Sequence, residues 1–206
     1  MIKKLQALKA KKGFTLVELV VVIAIIGVLA AILVPTMLGV VEDSRITSAN
    51  QLATNIKNRV TEFFGKMDAI KASYIGGKKT IVITATDGTW AYGGTTKLTS
   101  KDWLDTKDHQ GTTANANSDV ANKDTQLIAY IADTTSDMKN AYISIEIGAN
   151  SKVLGVSAVE GSPTARTVPK DTDFTAGYYT GWKNKAGVID GNIIVGTAPV
   201  LPAKSS

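Results

Sequence analysis

The sequence predicts an α+β protein: one long N-terminal helix whose second half packs on an antiparallel β-sheet. Three observations lead there. Residues 14–34 form an unbroken apolar run. Residues 35–64 carry a single apolar stripe at helical spacing. Beyond them, short alternating segments are separated by turn residues. The 206 residues allow one domain plus an extension.

The first element is a basic leader over residues 1–13. Lys3, Lys4, Lys9, Lys11 and Lys12 lie in it, with no acid. The whole chain has 23 Lys+Arg against 18 Asp+Glu, so removing those five lysines leaves 18 against 18. From Phe14 onward the chain is formally neutral. The basic excess is therefore a property of the leader, and nucleic acid is not an expected partner.

The second element is FTLVELVVVIAIIGVLAAILV, Phe14 to Val34. As a helix its 21 residues span about 31 Å, which matches a bilayer core of about 30 Å. Glu18 is its one ionisable residue. The flanking lysines place its N-terminal end in the cytoplasm. A secretory signal peptide is a poor fit: Ala30 and Ala31 make no A-x-A-like cleavage pattern, and the run passes straight into more helix. A plain membrane anchor explains the lysines and the length, but not an acid four residues after Phe14.

The third element is the amphipathic continuation over residues 35–64. Ile46, Ala49, Ala53, Ile56, Val60 and Phe63 recur every three or four residues. Gly65 is the expected stop. Pro35, at the join, lacks an N–H and is expected to kink or locally melt the helix.

Residues 66–206 are expected to form a β-rich head. Lys78 to Thr86 reads as a strand, Asp87-Gly88 as a hairpin turn and TWAY as its partner. Residues 93–126 read as a polar surface excursion anchored by Trp103 and Leu104. Ala141 to Ile147 alternates as a strand, Asn150-Ser151 is a turn, and Val153 to Val159 returns. Residues 160–173 read as loop. Val188 to Val195 reads as two short strands about Asp190-Gly191-Asn192.

Together the residues KKGFTLVELVVVIAIIGVLAAILVP resemble the N-terminus of type IV prepilins and pseudopilins. A basic leader ends in Gly13, Phe14 follows, and an acid stands at the fifth position counted from Phe14. The resemblance implies several things. A membrane-embedded peptidase cuts after Gly13 and methylates the new amine of Phe14. Glu18 registers an incoming subunit during assembly. Pro35 is the helix-perturbing proline. The fold is the pilin fold, and the chain polymerises with itself after contact with the peptidase/methyltransferase and an assembly platform. The precursor sits in the cytoplasmic membrane and the product is a surface filament of a type IV pilus. The alternative product is a pseudopilus of a type II secretion or DNA-uptake machine.

Each implied feature has a physical basis. Glycine at the cut leaves the backbone free of side-chain clash. A carboxylate within a membrane span is costly unless a cation meets it, and the Phe14 amine of a neighbouring subunit is the obvious cation.

Other chemistry is not signalled. The chain has no cysteine, so no disulfide and no thiolate site is possible. It has one histidine, His109, in a polar stretch, and no nucleotide-binding, metalloprotease or nucleophile-elbow motif. No enzyme activity, cofactor or metal is expected. Some pseudopilins bind calcium near the C-terminus, where this chain has Asp171, Asp173 and Asp190. Their spacing fits no EF-hand, so they read as solvated loop acids.

Overall fold

Ten elements make up the fold, in a computed structural model that describes residues 14–69, 79–92, 126–149, 152–161, 164, 167–189 and 193–204. Helix α1 runs Leu16–Ala69 and passes through Pro35. The chain divides into two compact units, Met1–Asp43 and Ser44–Ser206.

In the second unit, five strands form one antiparallel sheet in the order β2-β1-β3-β4-β7. They are β1 (Lys79–Thr86), β2 (Thr89–Tyr92), β3 (Ala141–Ile147), β4 (Val153–Glu160) and β7 (Gly196–Ala198). Helix α2 (Gln126–Thr135) precedes β3, and helix α3 (Asp171–Ala176) follows β4. Strands β5 (Val188–Ile189) and β6 (Ile193–Ile194) form a separate two-stranded ribbon.

The hairpin β1–β2 turns at Asp87-Gly88, where φ is 50° and 80°. Both residues in the left-handed region give a tight turn whose twist matches the strands. Gly88 N–H also donates to Lys139 C=O at 2.8 Å, which ties the turn to the start of β3.

Each face of the sheet has its own core. On one face, Ile81 and Ile83 of β1, Ile143, Ile145 and Ile147 of β3, and Val156 of β4 meet Ala53, Ile56, Val60 and Phe63 of α1. Leu127, Ile128, Tyr130 and Ile131 of α2 close this core. Burying each such aliphatic side chain contributes roughly 1.5–3 kcal/mol. On the other face, Tyr142 and Val159 meet Val168, Phe174, Tyr179, Trp182, Ile189, Val195 and Leu201. This C-terminal cover is held without a disulfide. Trp182 Nε1 donates to Leu201 C=O at 3.0 Å, Tyr179 N–H donates to Pro202 C=O at 3.0 Å, and the Tyr179 and Trp182 rings meet edge to face at 4.8 Å.

The second face also buries a carboxylate. Glu146 Oε2 accepts from Thr80 Oγ1 at 2.7 Å and Oε1 accepts from Ser144 Oγ at 3.1 Å. Burial pushes the Glu146 carboxyl above its ordinary range, and the two hydroxyl donors only partly offset that.

Two expectations need correction. Gly65 does not stop α1: the helix continues to Ala69. Phe63 and Phe64 are buried on one side of Gly65. On the other, Lys66 Nζ lies 5.2 Å from the Tyr130 ring centroid and 3.5 Å from Glu62 Oε1. These contacts offset a mid-helix glycine's cost of about 1 kcal/mol. Residues 171–173 are not loop but the first turn of α3, which seats Phe174 on the sheet. Strand β3 falls on Ala141–Ile147 as expected, and it is buried at every position because the C-terminal segment covers its second face. Finally, α2 and β7 are elements that the sequence reading does not anticipate. The predicted excursion over 93–126 falls almost wholly outside the described residues, as do His109, the Asn150-Ser151 turn and Asp190.

Candidate functional site

The site is the N-terminal stretch of α1, built from its first turn. Phe14 and Thr15 are non-helical, and Leu16 is the first helical residue. Thr15 N–H and Thr15 Oγ1 both donate to Glu18 Oε2, each at 2.8 Å. Glu18 N–H donates back to Thr15 Oγ1 at 3.3 Å. This is a reciprocal capping box, with Thr15 at the N-cap and Glu18 at the third helical position. It satisfies two of the amide donors that a helix start leaves open. It also places a carboxylate where the helix dipole favours negative charge. The sequence carries the signature, Thr-x-x-Glu immediately before an apolar run, but the length of that run draws attention away from it.

Beyond the cap, the apolar side chains are exposed. No large apolar residue from Phe14 to Val41 is less than 47% exposed. The exposure extends all round the helix rather than along one stripe, and it far exceeds the few hundred Å² of apolar patch usual on a soluble monomer. By length and composition this helix can cross a membrane. Gly27 and Gly39 face open space, so each leaves a shallow place where another helix can approach closely.

Pro35 lies inside the helix. Its missing N–H leaves the Ala31 carbonyl without the usual donor four residues on. Thr36 Oγ1 donates to Leu33 C=O at 2.8 Å, one turn back, a back-bond of the kind that bends a helix and that does not replace the bond lost at Ala31.

The remaining expected site residues are placed as follows. Asp173 Oδ2 accepts from Lys170 N–H at 2.8 Å, and Asp171 opens the same short helix. Asp173 is thus engaged as a cap. Gly13 and Asp190 lie outside the described residues. Among the described residues no three His, Asp or Glu side chains gather as a metal-binding group.

A long apolar helix entered through a capped, acid-bearing turn, followed in the chain by an antiparallel α+β head, is the pilin-like arrangement that the sequence resemblance implies. Comparison with known proteins agrees. Residues 8–34 match the prokaryotic N-terminal methylation motif. The fimbrial protein EcpC of Eikenella corrodens is 46% identical over 56 residues, 27% of this chain and 37% of that protein. The type IV major pilin protein PilE1 of Neisseria gonorrhoeae is 43% identical over 54 residues, 26% of this chain and 33% of that protein. A fimbrial protein of Moraxella nonliquefaciens is 43% identical over 54 residues, 26% of this chain and 35% of that protein. The chain thus spans little more than a third of the length of these relatives. No solved structure matches it. Residues 46–202 match a domain of unknown function, DUF5021, and the chain belongs to that family; the N-terminal methylation motif precedes the domain.

Proposed function

We propose that this protein is a structural subunit of a type IV pilus. The observation that carries the reading is the coincidence of the methylation motif with an apolar helix exposed on every side. A peptidase cuts the precursor after Gly13 and methylates the Phe14 amine. Until assembly the apolar stretch rests in the cytoplasmic membrane, its N-terminus on the cytoplasmic side. During assembly, identical helices replace lipid around it at little hydrophobic cost, because packing rather than water exclusion drives association there. Glu18 accepts the Phe14 ammonium of a neighbouring subunit, which rewards correct register more than raw stability. Pro35 loosens the helix so that neighbours can pack. The head becomes the filament surface, and the chain acts by polymerising rather than by catalysis.

The test is mass spectrometry of the N-terminal peptide in material sheared from cells. N-methylated Phe14 in that fraction supports processing and surface assembly together. Phe14 found only in membranes favours the alternative, a pseudopilin. An intact leader, or a cut beyond Val34, overturns the reading. Glu18→Ala is expected to leave membrane insertion intact and lower filament yield, and a wild-type yield removes Glu18 from the account.

A further inference from the structure

We infer that the head carries two unlike charged surfaces that dock copies of this chain head to tail: Lys57 and Lys152 of one copy enter a groove lined by Asp137 and Glu160 of the next. The partner, a second copy, rests on the filament reading above. The groove has a volume of about 900 Å³ and lies between residues 44–52 of α1, the end of α2 and the end of β4. Leu52, Ile193 and Ile194 line it, each half-buried. Asp137 and Glu160 line it too and are exposed, and neither makes an ion pair among the described residues. Arg45 is the one cation in the lining, so acids outnumber it two to one.

The opposite end of the head carries the opposite charge. Lys152 stands just before β4, whose last residue is Glu160, so about 26 Å of strand separates the two. Along α1, Lys57 lies about 18 Å beyond Arg45. The two lysines are neighbours. Partial burial and the adjacent Lys152 charge both push the Lys57 ammonium below the ordinary lysine range. Among the described residues no carboxylate lies within ion-pair distance of either lysine. A half-buried ammonium beside a second cation is an arrangement that an incoming carboxylate improves. The groove offers carboxylates together with apolar lining, which suits the long aliphatic stem of a lysine.

Groove and lysines are too far apart to meet within one head, so each needs a partner outside it. They are also different surfaces. A docked pair therefore leaves one of each free, and the contact repeats without closing, as a filament requires. A two-fold dimer would set like charges against each other. Filament assembly holds identical copies together at high effective concentration, so even exposed charge pairs contribute to head packing.

The test uses the full-length protein as the sole copy in its own cells. Lys152→Glu and Glu160→Lys are each expected to lower the amount in sheared filaments, relative to the processed membrane pool, by about fivefold. The double variant Lys152→Glu/Glu160→Lys restores the pair with its signs exchanged and is expected to recover most of that loss. A wild-type yield from either single variant, or a double variant no better than the two losses combined, overturns the inference. The absence of cysteine from the chain allows a second measurement. Filaments of Lys152→Cys/Glu160→Cys, treated with a short bismaleimide whose reach matches a lysine–glutamate pair, are expected to give a ladder of covalent multimers. Each single-cysteine variant is expected to stay monomeric, because only unlike surfaces meet. Filaments without a ladder, a dimer from either single variant, or a cross-link to a different protein overturn the inference and leave the filament reading intact. Absence of filaments from the wild type overturns the filament reading instead.

Discussion

Two glycine-to-alanine changes in this protein should act with opposite sign. Gly196 opens β7, where the strand crosses α1. A methyl group built there falls within contact distance of the Ala49 carbonyl and 2.8 Å from Asn50 N. These are backbone atoms of a packed helix, so no side-chain rotation relieves the clash and β7 must move away. Moving it breaks the bond from Thr197 N–H to Asn50 Oδ1, 2.9 Å, and disturbs the one from Leu201 N–H to Thr197 Oγ1, 3.1 Å. Overpacking costs about 1–3 kcal/mol, and a lost buried hydrogen bond adds about 1 kcal/mol. Gly196→Ala is therefore expected to destabilise by about 2–4 kcal/mol. Gly65 is exposed, helical and faces open space. Alanine there should stabilise by up to about 1 kcal/mol. The assay is thermal unfolding of the full chain in detergent, where each kcal/mol moves Tm by about 2–4 °C for a domain of this size. A Gly196→Ala protein with wild-type Tm, or a Gly65→Ala protein with a lower one, refutes the reasoning.

Other predictions concern the head. The raised pKa of Glu146 sets a sign for pH dependence. Below the ordinary carboxylate range both folded and unfolded states hold the proton and the stability is fully present. As pH rises from about 4.5 toward the folded pKa, the unfolded chain releases its proton first and stability falls. Glu146→Gln should flatten this slope in a Tm series from pH 4 to 7, and an unchanged slope assigns it to another group. Arg59 spans Glu62 at 3.4 Å and Asp133 at 3.3 Å, with its guanidinium 4.9 Å from the Tyr130 ring centroid. These pairs are partly solvated, so Arg59→Ala should cost about 1–2 kcal/mol. Hydrogen exchange should quicken in α2 before β3, and uniform quickening sinks the idea that Arg59 pins α2. Ile143→Ala, at the centre of the sheet and fully buried, should cost about 2–5 kcal/mol in denaturant unfolding.

Strong local signals carry much of this protein. The apolar run from Phe14 to Val34 needs no partner to be read, since its length and flanking lysines suffice. Asp87-Gly88 reads as a hairpin because few residue pairs adopt positive φ twice. The strand Ala141–Ile147 is legible from its β-branched residues. Thr15 and Glu18 stand at capping-box spacing, but the long apolar run hides the pair until the structure shows their bonds. Helix α2 carries a readable pattern in Leu127, Ile128 and Ile131, but it is short and follows a long polar stretch.

What only the tertiary structure decided are the outcomes that depend on residues far apart in sequence. Local propensity would end α1 at Gly65, yet Lys66 finds the Tyr130 ring and the helix continues. Alternation would leave one face of β3 in water, yet a cover drawn from residues 168–201 buries it, and with it Glu146. Gly155 and Gly196 look like strand-weakening residues in the sequence. In the fold they make room for the Phe174 ring and the α1 backbone. The physical reason is common to all three. Sequence pattern reports a residue's own preference and its neighbours within a turn or two, whereas burial and close approach are set by which distant surface arrives.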